Sequence, residues 1–206
     1  MKTNIILGSA SPRRKELLAQ IGVSFSIQSA DIDETPFTGE SPVTYVPRMA
    51  SSKAYEVFNT LIASSSSLIK ERTLVLASDT SVVLNEEIFG KPQSKSDFLR
   101  MMALLSGQKH KVITSVHVLE CVTSVVESEK AFTVDTYVNI KDLSAQEIEW
   151  YWRTGEPQDK AGGYGIQGRG ALFVEGIEGS YSSVVGLPLK ETAELLVSYD
   201  VGIWSN

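Results

Sequence analysis

Apolar and polar positions along the chain predict alternating strands and helices. Residues 4–7 form a short apolar run that is typical of a buried strand. Ser11 followed by Pro12 is a typical helix start, because Ser caps well and Pro suits the first helical position. The apolar stripe of this helix continues to Gly22, which ends it. Residues 23–27 then alternate in the manner of a second strand.

The second predicted helix contains a proline. It starts at Ser41-Pro42, and its apolar pattern runs towards Leu61. Pro47 conflicts with this pattern, because an interior proline loses a hydrogen bond and clashes with the preceding turn. Either the helix kinks at Pro47 or its regular part begins near it. The serines at 64–67 predict a solvated link.

The remaining pattern predicts long strands and further helices. An apolar run at 74–84 is interrupted by polar residues at 78–80, and a capping box at Ser144–Glu147 starts a helix that runs to about residue 154. Other segments are a helix between Ser94 and Gly107, strands at 111–122 and 130–140, and a final helix at 189–199. Because strands and helices alternate, the chain is expected to form an α/β fold with a mixed twisted sheet flanked by helices.

Composition favours one domain spanning residues 1–206. The chain is 42% hydrophobic, which is enough for a substantial core at this length. It carries 25 Asp and Glu against 19 Lys and Arg, so the basic face needed by a nucleic-acid polymer is not expected. Apolar runs are too short for a signal peptide or a membrane span. The lone Cys121 fits a reducing compartment, and we expect a soluble cytoplasmic protein.

Residues 8–14 join a predicted strand to a helix N-terminus. Free backbone N–H groups at such a position favour anions. Arg13 and Arg14 lie in the first helical turn, where they oppose the helix dipole and are poorly placed for stability alone. The functional interpretation is a phosphate cradle with Arg13 reaching the ligand. The alternative is an ordinary capped surface helix.

Two carboxylates are candidates for chemistry. Asp79 lies within an apolar strand, where a carboxylate is costly unless it is paired or binds a metal. Glu34 lies in an acidic loop and is the second candidate, although such loops are usually only solvated. Two carboxylates would suit a hard divalent cation such as Mg²⁺ or Mn²⁺. Lys53 and Lys91 are candidate phosphate ligands or, alternatively, ordinary surface lysines.

Residues 155–170 form a glycine-rich stretch between two apolar segments. Lys160, Gln167 and Arg169 can donate hydrogen bonds to an anion or to a base edge. The alternative is a long flexible connection. With two His and one Cys in the whole chain, no Ser-His-Asp or Cys-His nucleophile set is expected. The candidates therefore indicate metal-assisted attack of water on a phosphate.

Taken in order, these motifs resemble those of the Maf-like nucleoside triphosphate pyrophosphatases. The resemblance runs from residue 4 to about 197 and rests on SASPRR at 9–14, DE at 33–34, Arg48 with KA at 53–54, ASDT at 77–80, GKP at 90–92, GEPQDKAGGYGIQG at 155–168, GSY at 179–181 and VVGLPL at 184–189. The glycine-rich segment is similar to the dTTP/UTP branch and differs from the branch that acts on 7-methyl-GTP.

The resemblance implies an elongated fold related to the inosine triphosphatases, with a cleft between two lobes. It also implies hydrolysis of dTTP and UTP to the monophosphate and pyrophosphate, with a divalent metal, and a homodimer. By resemblance, Asp79 is the proton acceptor. The implied specificity residues are Arg13, Thr80 and Gln167, and those implied to bind phosphate or metal are Ser9, Glu34, Lys53 and Lys91. The alternatives are a non-catalytic nucleotide-binding regulator of cell division and an inosine/xanthosine triphosphatase, which the Gln167 segment disfavours.

Overall fold

The computed structural model describes residues 3–64 and 72–203. The strands in these ranges are β1 (Asn4–Leu7), β2 (Ser26–Ile27), β3 (Thr73–Leu84), β4 (Glu87–Phe89), β5 (Lys109–Val122), β6 (Val125–Ile140) and β7 (Val174–Glu178). The helices are α1 (Pro12–Gln20), α2 (Pro42–Ala63), α3 (Lys95–Leu105), α4 (Ala145–Arg153), α5 (Tyr181–Val185) and α6 (Leu189–Val197). All the strands join one mixed sheet in the order β2-β1-β3-β5-β6-β7, with β4 also paired to β3. The predicted α/β class is confirmed.

One edge of β3 is only partly covered by other strands. β5 pairs with β3 from Thr73 to Val83 along one edge. On the opposite edge, β1 pairs in parallel as far as Leu76, and β4 pairs antiparallel from Val82 onwards. Among the described residues, those at 77–81 therefore have no strand partner on this second edge. We call this opening between β1 and β4 the β3 gap.

The two faces of the sheet carry different helices. Val75 and Ala77 of β3 pack in a cluster with α2 residues, whereas Leu74 and Leu76 pack with residues of α1 and α6. Side chains alternate between faces along a strand. Asp79 is therefore directed to the α2 face, and the neighbouring residue 80 is directed to the α1 face. Asp79 and Thr80 are thus adjacent in sequence but point to opposite faces of the sheet at the β3 gap.

Several predicted elements are confirmed. The first strand has the predicted bounds, and Ser11 accepts a hydrogen bond from the backbone N–H of Arg14 at 3.5 Å. Ser144 and Glu147 form the predicted capping box. The polar residues at 78–80 do not interrupt β3.

Two predicted elements differ from the structure. The predicted helix start at Ser41-Pro42 is confirmed, but the alternative that the regular helix begins near Pro47 is wrong, because α2 begins at Pro42 and passes through Pro47. The strand predicted at 23–27 is too long. Only Ser26 and Ile27 pair with β1, opposite Ile6 and Leu7, so only these two residues of the predicted strand belong to the sheet. Most of the predicted serine link falls at 65–67, outside the described residues. No helix in the described ranges is long and apolar enough to cross a membrane.

Candidate active site

A cleft of about 740 Å³ opens beside the β3 gap. Its walls come from the β1–α1 connection, the loop before α2, the centre of β3, the turn after β4 and the glycine-rich segment. All of the predicted site residues line it: Ser9, Arg13, Glu34, Lys53, Asp79, Thr80, Lys91, Lys160 and Gln167. The fold thus gathers residues spread over most of the chain, while their roles stay predictions.

On the α2 face, Lys53 lies between the two predicted carboxylates. Its Nζ is 2.7 Å from Oδ1 of Asp79 and 2.6 Å from Oε1 of Glu34. Asp79 is 7% exposed, so this ammonium provides the charge partner that a buried carboxylate requires. Burial raises the pKa of Glu34, but the hydrogen bond and charge of Lys53 lower it by more, so Glu34 is ionised at neutral pH.

Tyr45 supports the loop that carries Glu34. Its hydroxyl donates to the backbone carbonyl of Glu34 at 2.8 Å. Burial, together with the charges of Asp79 and Glu34, raises the pKa of Tyr45 to about 12. The phenol therefore stays protonated and keeps donating this bond at neutral pH.

The site offers two carboxylates, Glu34 and Asp79, as candidate ligands for a metal ion. Within residues 3–64 and 72–203, no group of three or more His, Cys, Asp and Glu side chains is arranged to hold a metal ion. Glu34 and Asp79 nevertheless direct two carboxylate oxygens at one positive charge. Mg²⁺ is commonly held by one or two protein carboxylates together with oxygens from outside the protein, and the chemistry of this pair fits that pattern.

On the α1 face, the embedded arginine is Arg14, whereas the sequence interpretation had only Arg13 reaching the ligand. Its Nε donates to the carbonyl of Gly186 at 2.9 Å, one Nη donates to Ser9 Oγ at 3.2 Å, and the other donates to Thr80 Oγ1 at 3.2 Å. Burial lowers the pKa of Arg14, whereas the charge of Asp79 raises it. Arg14 thus joins three separate parts of the cleft wall.

Arg13 occupies a more open position than Arg14. Its Nη1 lies 3.8 Å from Oδ2 of Asp159 in the glycine-rich segment, and its side chain is 29% exposed. Both arginines oppose the helix dipole, which was the sequence signal for function. That signal could not separate the two, because the partners of Arg14 lie 5, 66 and 172 residues away.

The glycine-rich segment is folded around Glu156. Oε2 of this side chain accepts from the backbone N–H of Arg169 at 2.9 Å, and Oε1 accepts from Gly170 N–H at 3.1 Å and from the Tyr151 hydroxyl at 2.8 Å. A Cβ at position 168 would overlap the Glu156 carboxylate, so this close approach requires glycine there. These contacts disfavour the interpretation of a flexible connection.

Gln167 lies between these anchoring contacts and lines the cleft with an exposed side chain. Lys160 pairs with the adjacent Asp159. Lys91 lies in the turn after β4, which is joined to the segment by a hydrogen bond from Gly162 N–H to the carbonyl of Gly90 at 3.0 Å. Lys91 and Lys160 are therefore two further cationic groups in the cleft lining.

Arg48 belongs to a different cluster from Lys53. It binds both carboxylate oxygens of Glu40 at 2.5 and 2.6 Å and lies 3.8 Å above the ring of Phe37. Lys53 lines the cleft, whereas Arg48 does not. Arg48 braces the loop before α2 instead.

Comparisons with known proteins agree with the geometry. The sequence profile of the family described as "Maf-like protein" matches residues 4–199. The chain is similar to the dTTP/UTP pyrophosphatase of Pseudoalteromonas atlantica, with 50% identity over 192 residues that cover 93% of this chain and 95% of the relative. It is also similar to the dTTP/UTP pyrophosphatase of Myxococcus xanthus, with 45% identity over 195 residues that cover 95% and 92%.

A solved HAM1 protein from Coxiella burnetii has a related fold. It aligns with a TM-score of 0.52 at 15% sequence identity, covering 96% of this chain and 100% of that one. At this identity the likeness concerns the fold alone. It confirms the inosine triphosphatase-like fold class that the motifs implied.

Proposed function

Because this chain belongs to the Maf-like protein family, we propose that it hydrolyses dTTP and UTP to the nucleoside monophosphate and pyrophosphate. The observation that carries the proposal is the Glu34–Lys53–Asp79 arrangement at the mouth of the β3 gap. The adjoining cleft, at about 740 Å³, is within the usual size of a small-molecule site. The site therefore combines a base, a cation and space for a nucleotide.

Asp79 is the proposed general base. It would hold a water molecule against the triphosphate and accept its proton, while the water oxygen forms the new P–O bond. The bond between the α and β phosphates breaks, and pyrophosphate leaves. Lys53 holds one oxygen of Asp79 at 2.7 Å and so fixes the direction of this carboxylate.

Cationic side chains would stabilise the charge that develops on the phosphates. Lys53 contacts both carboxylates, the charge of Lys91 acts on Glu34, and Arg13 and Lys160 also line the cleft. Fixed positive groups are most effective where negative charge increases in the transition state. In this assignment, the cations act on the leaving pyrophosphate and on the attacked phosphate.

A divalent metal would bind beside Lys53. Lys53 contacts one oxygen of Glu34 and one of Asp79, so the second oxygen of each carboxylate is the proposed ligand, and such oxygens suit Mg²⁺ or Mn²⁺. When bound, such an ion would neutralise phosphate charge and acidify a water molecule. Glu34 and Asp79 are its proposed protein ligands.

Gln167 is the proposed base-recognition residue. Its amide offers both a donor and an acceptor, and the donor matches O4 of uracil or thymine. The methyl group of thymine needs only space, so one site accepts both bases. Thr80 and Ser9 also line the cleft and are proposed to complete the substrate contacts.

The decisive test is a substrate panel. Purified protein is incubated with dTTP, UTP, CTP, ITP or XTP, with Mg²⁺ or Mn²⁺, and pyrophosphate and monophosphate are quantified. We expect pyrophosphate with UMP or dTMP. Orthophosphate with UDP would point to a different phosphatase class, and preference for ITP or XTP would favour the inosine/xanthosine triphosphatase. Nucleotide binding without turnover would favour the non-catalytic regulator.

Asp79→Asn separates catalysis from binding. The amide keeps the size of the side chain and an oxygen for Lys53, so fold and nucleotide affinity should persist. Loss of a general base typically costs about 10²–10⁴-fold in turnover. Asp135→Asn is the matched control, because Asp135 pairs with Lys111 at 3.0 Å outside the cleft. Near-normal turnover in Asp79→Asn would show that the base lies elsewhere.

Three further properties stay predictions. We propose that residues 1–206 form one domain, that the protein is a homodimer, and that it acts in the cytoplasm, where its single Cys121 would remain reduced. Limited proteolysis, light scattering and cell fractionation, respectively, test these properties.

A further inference from the structure

Three hydroxyl and carbonyl groups continue inward from Arg14 beneath the cleft wall. Arg14 Nη2 donates to Thr80 Oγ1 at 3.2 Å, and Thr80 Oγ1 lies 3.0 Å from Thr114 Oγ1. Thr114 Oγ1 in turn lies 2.8 Å from the backbone carbonyl of Ser183. Thr80 lines the cleft, whereas Thr114 is fully buried and does not reach it.

The groups at the two ends of this series of hydrogen bonds, Arg14 and the Ser183 carbonyl, determine which way each hydroxyl proton points. The carbonyl of Ser183 can only accept, so the single hydroxyl proton of Thr114 is directed to it. Thr114 must then accept from Thr80, which uses the only proton of Thr80. Arg14 can only donate, so it occupies one lone pair of the Thr80 oxygen. Thr80 is left with one lone pair and no proton for a ligand.

We propose that Thr114 is a positioning residue that makes Thr80 an acceptor-only group in the cleft. This proposal rests on the proposed function and deepens its account of specificity. An acceptor takes an N–H from the substrate, and N3–H is the ring donor that uracil and thymine share. Cytosine has an unprotonated N3, which would oppose the lone pair of Thr80.

Gln167 alone does not explain how the site would distinguish uracil from cytosine. An amide can rotate to suit either uracil or cytosine, since it has both a donor and an acceptor. A hydroxyl whose proton is committed to a buried neighbour cannot adapt in this way. Of Gln167 and Thr80, only Thr80 therefore has a fixed hydrogen-bonding role. That role depends on Thr114, which does not line the cleft.

Thr114→Val tests this dependence. Valine keeps the shape but removes the oxygen, so Thr80 regains a free proton and can donate to N3 of cytosine. A mispaired polar contact typically costs about 1–3 kcal/mol, so the ratio of kcat/KM for UTP to that for CTP should fall about tenfold or more. N3-methyl-UTP, which lacks the ring donor, should be a poor substrate of the unchanged protein.

Two variants separate positioning from general damage. Thr114→Ser restores the hydroxyl and should restore the UTP to CTP ratio. Thr136→Val removes another fully buried threonine hydroxyl, which contacts Ser180 just before α5 but not Thr80. It should leave the ratio unchanged even if stability falls.

The outcomes are distinct. A reduced ratio in Thr114→Val, rescued by Thr114→Ser and unaffected in Thr136→Val, supports the proposal. An unchanged ratio overturns it. An equal loss for every nucleotide also overturns it, because such a loss would indicate general damage to the site. If the unchanged protein hydrolyses none of these nucleotides, the proposed function itself fails.

Discussion

Glu156→Gln tests whether the glycine-rich segment is held by one carboxylate. Glu156 accepts from two backbone N–H groups and from the Tyr151 hydroxyl, at 2.8 to 3.1 Å. Glutamine has the same shape, but it presents an NH₂ group in place of one oxygen. At least one of the three donors then faces another donor and loses its partner.

The magnitude follows from the contacts. A hydrogen bond to a charged group contributes about 1.5–3 kcal/mol. Because Glu156 is partly exposed, water replaces part of this loss, and we expect about 1.5 kcal/mol less stability, towards the lower end of that range. Burial raises the pKa of Glu156, but its hydrogen-bond donors lower it by more, so the folded pKa is below the usual 4.5. A depressed carboxyl pKa stabilises above the unfolded value and loses that effect as the pH falls through the folded one. Measurements at pH 7.5 therefore detect the full contribution.

The kinetic effect should be on binding rather than chemistry. Gln167 lies between residues 165 and 169, whose backbone N–H groups donate to the Tyr151 hydroxyl at 3.0 Å and to Glu156 at 2.9 Å. Asp79 instead pairs with Lys53. In Glu156→Gln, the glycine-rich segment must become ordered when the nucleotide binds. A free-energy cost of about 1.4 kcal/mol for this ordering raises KM by up to about tenfold. The turnover number should change much less.

Urea unfolding and steady-state pyrophosphate release measure the two effects. Glu149→Gln is the matched control, because Glu149 pairs only at the surface with Lys95 and Arg153 at 2.8 and 3.3 Å. Such pairs contribute less than about 1 kcal/mol. If Glu156→Gln and Glu149→Gln gave the same stability and the same KM, the anchoring role of Glu156 would be refuted.

Two further predictions concern buried groups. Lys53→Met leaves the carboxylates of Glu34 and Asp79 facing each other without their cation, so turnover should fall by about 10²-fold or more. Pyrophosphate release measures this effect. Activity within a few-fold of the unchanged protein would exclude a catalytic role for the Lys53 ammonium. Burial lowers the pKa of His110 to about 4, so the unfolded chain binds a proton first and stability should fall between pH 6.5 and 4. This shift corresponds to roughly 3 kcal/mol. Urea unfolding of His110→Gln should show a flatter pH dependence, and an equal slope would contradict the assignment.

Some of the candidate residues could be read from the sequence because unusual residue types stood out against local patterns, whereas Ser9 and Thr80 became candidates only through the family resemblance. Asp79 interrupts an apolar strand, two arginines oppose a helix dipole, and glycines cluster where packing offers no reason for them. Their convergence could not be read in the same way. Lys53 and Asp79 are 26 residues apart, and they meet only because α2 packs against the face of β3 that carries Asp79.

Local structure was determined largely by the sequence itself. The cap at Ser11 and the capping box at Ser144 depend on hydrogen bonds within three residues, so neighbouring side chains suffice to specify them. The opening beside β3 was decided only by the tertiary structure, since it exists where the pairing with β1 ends and that with β4 has not begun. The proton direction at Thr80 likewise depends on Thr114, which sheet register places opposite it. Register couples residues that are distant along the chain, and no local pattern encodes that coupling.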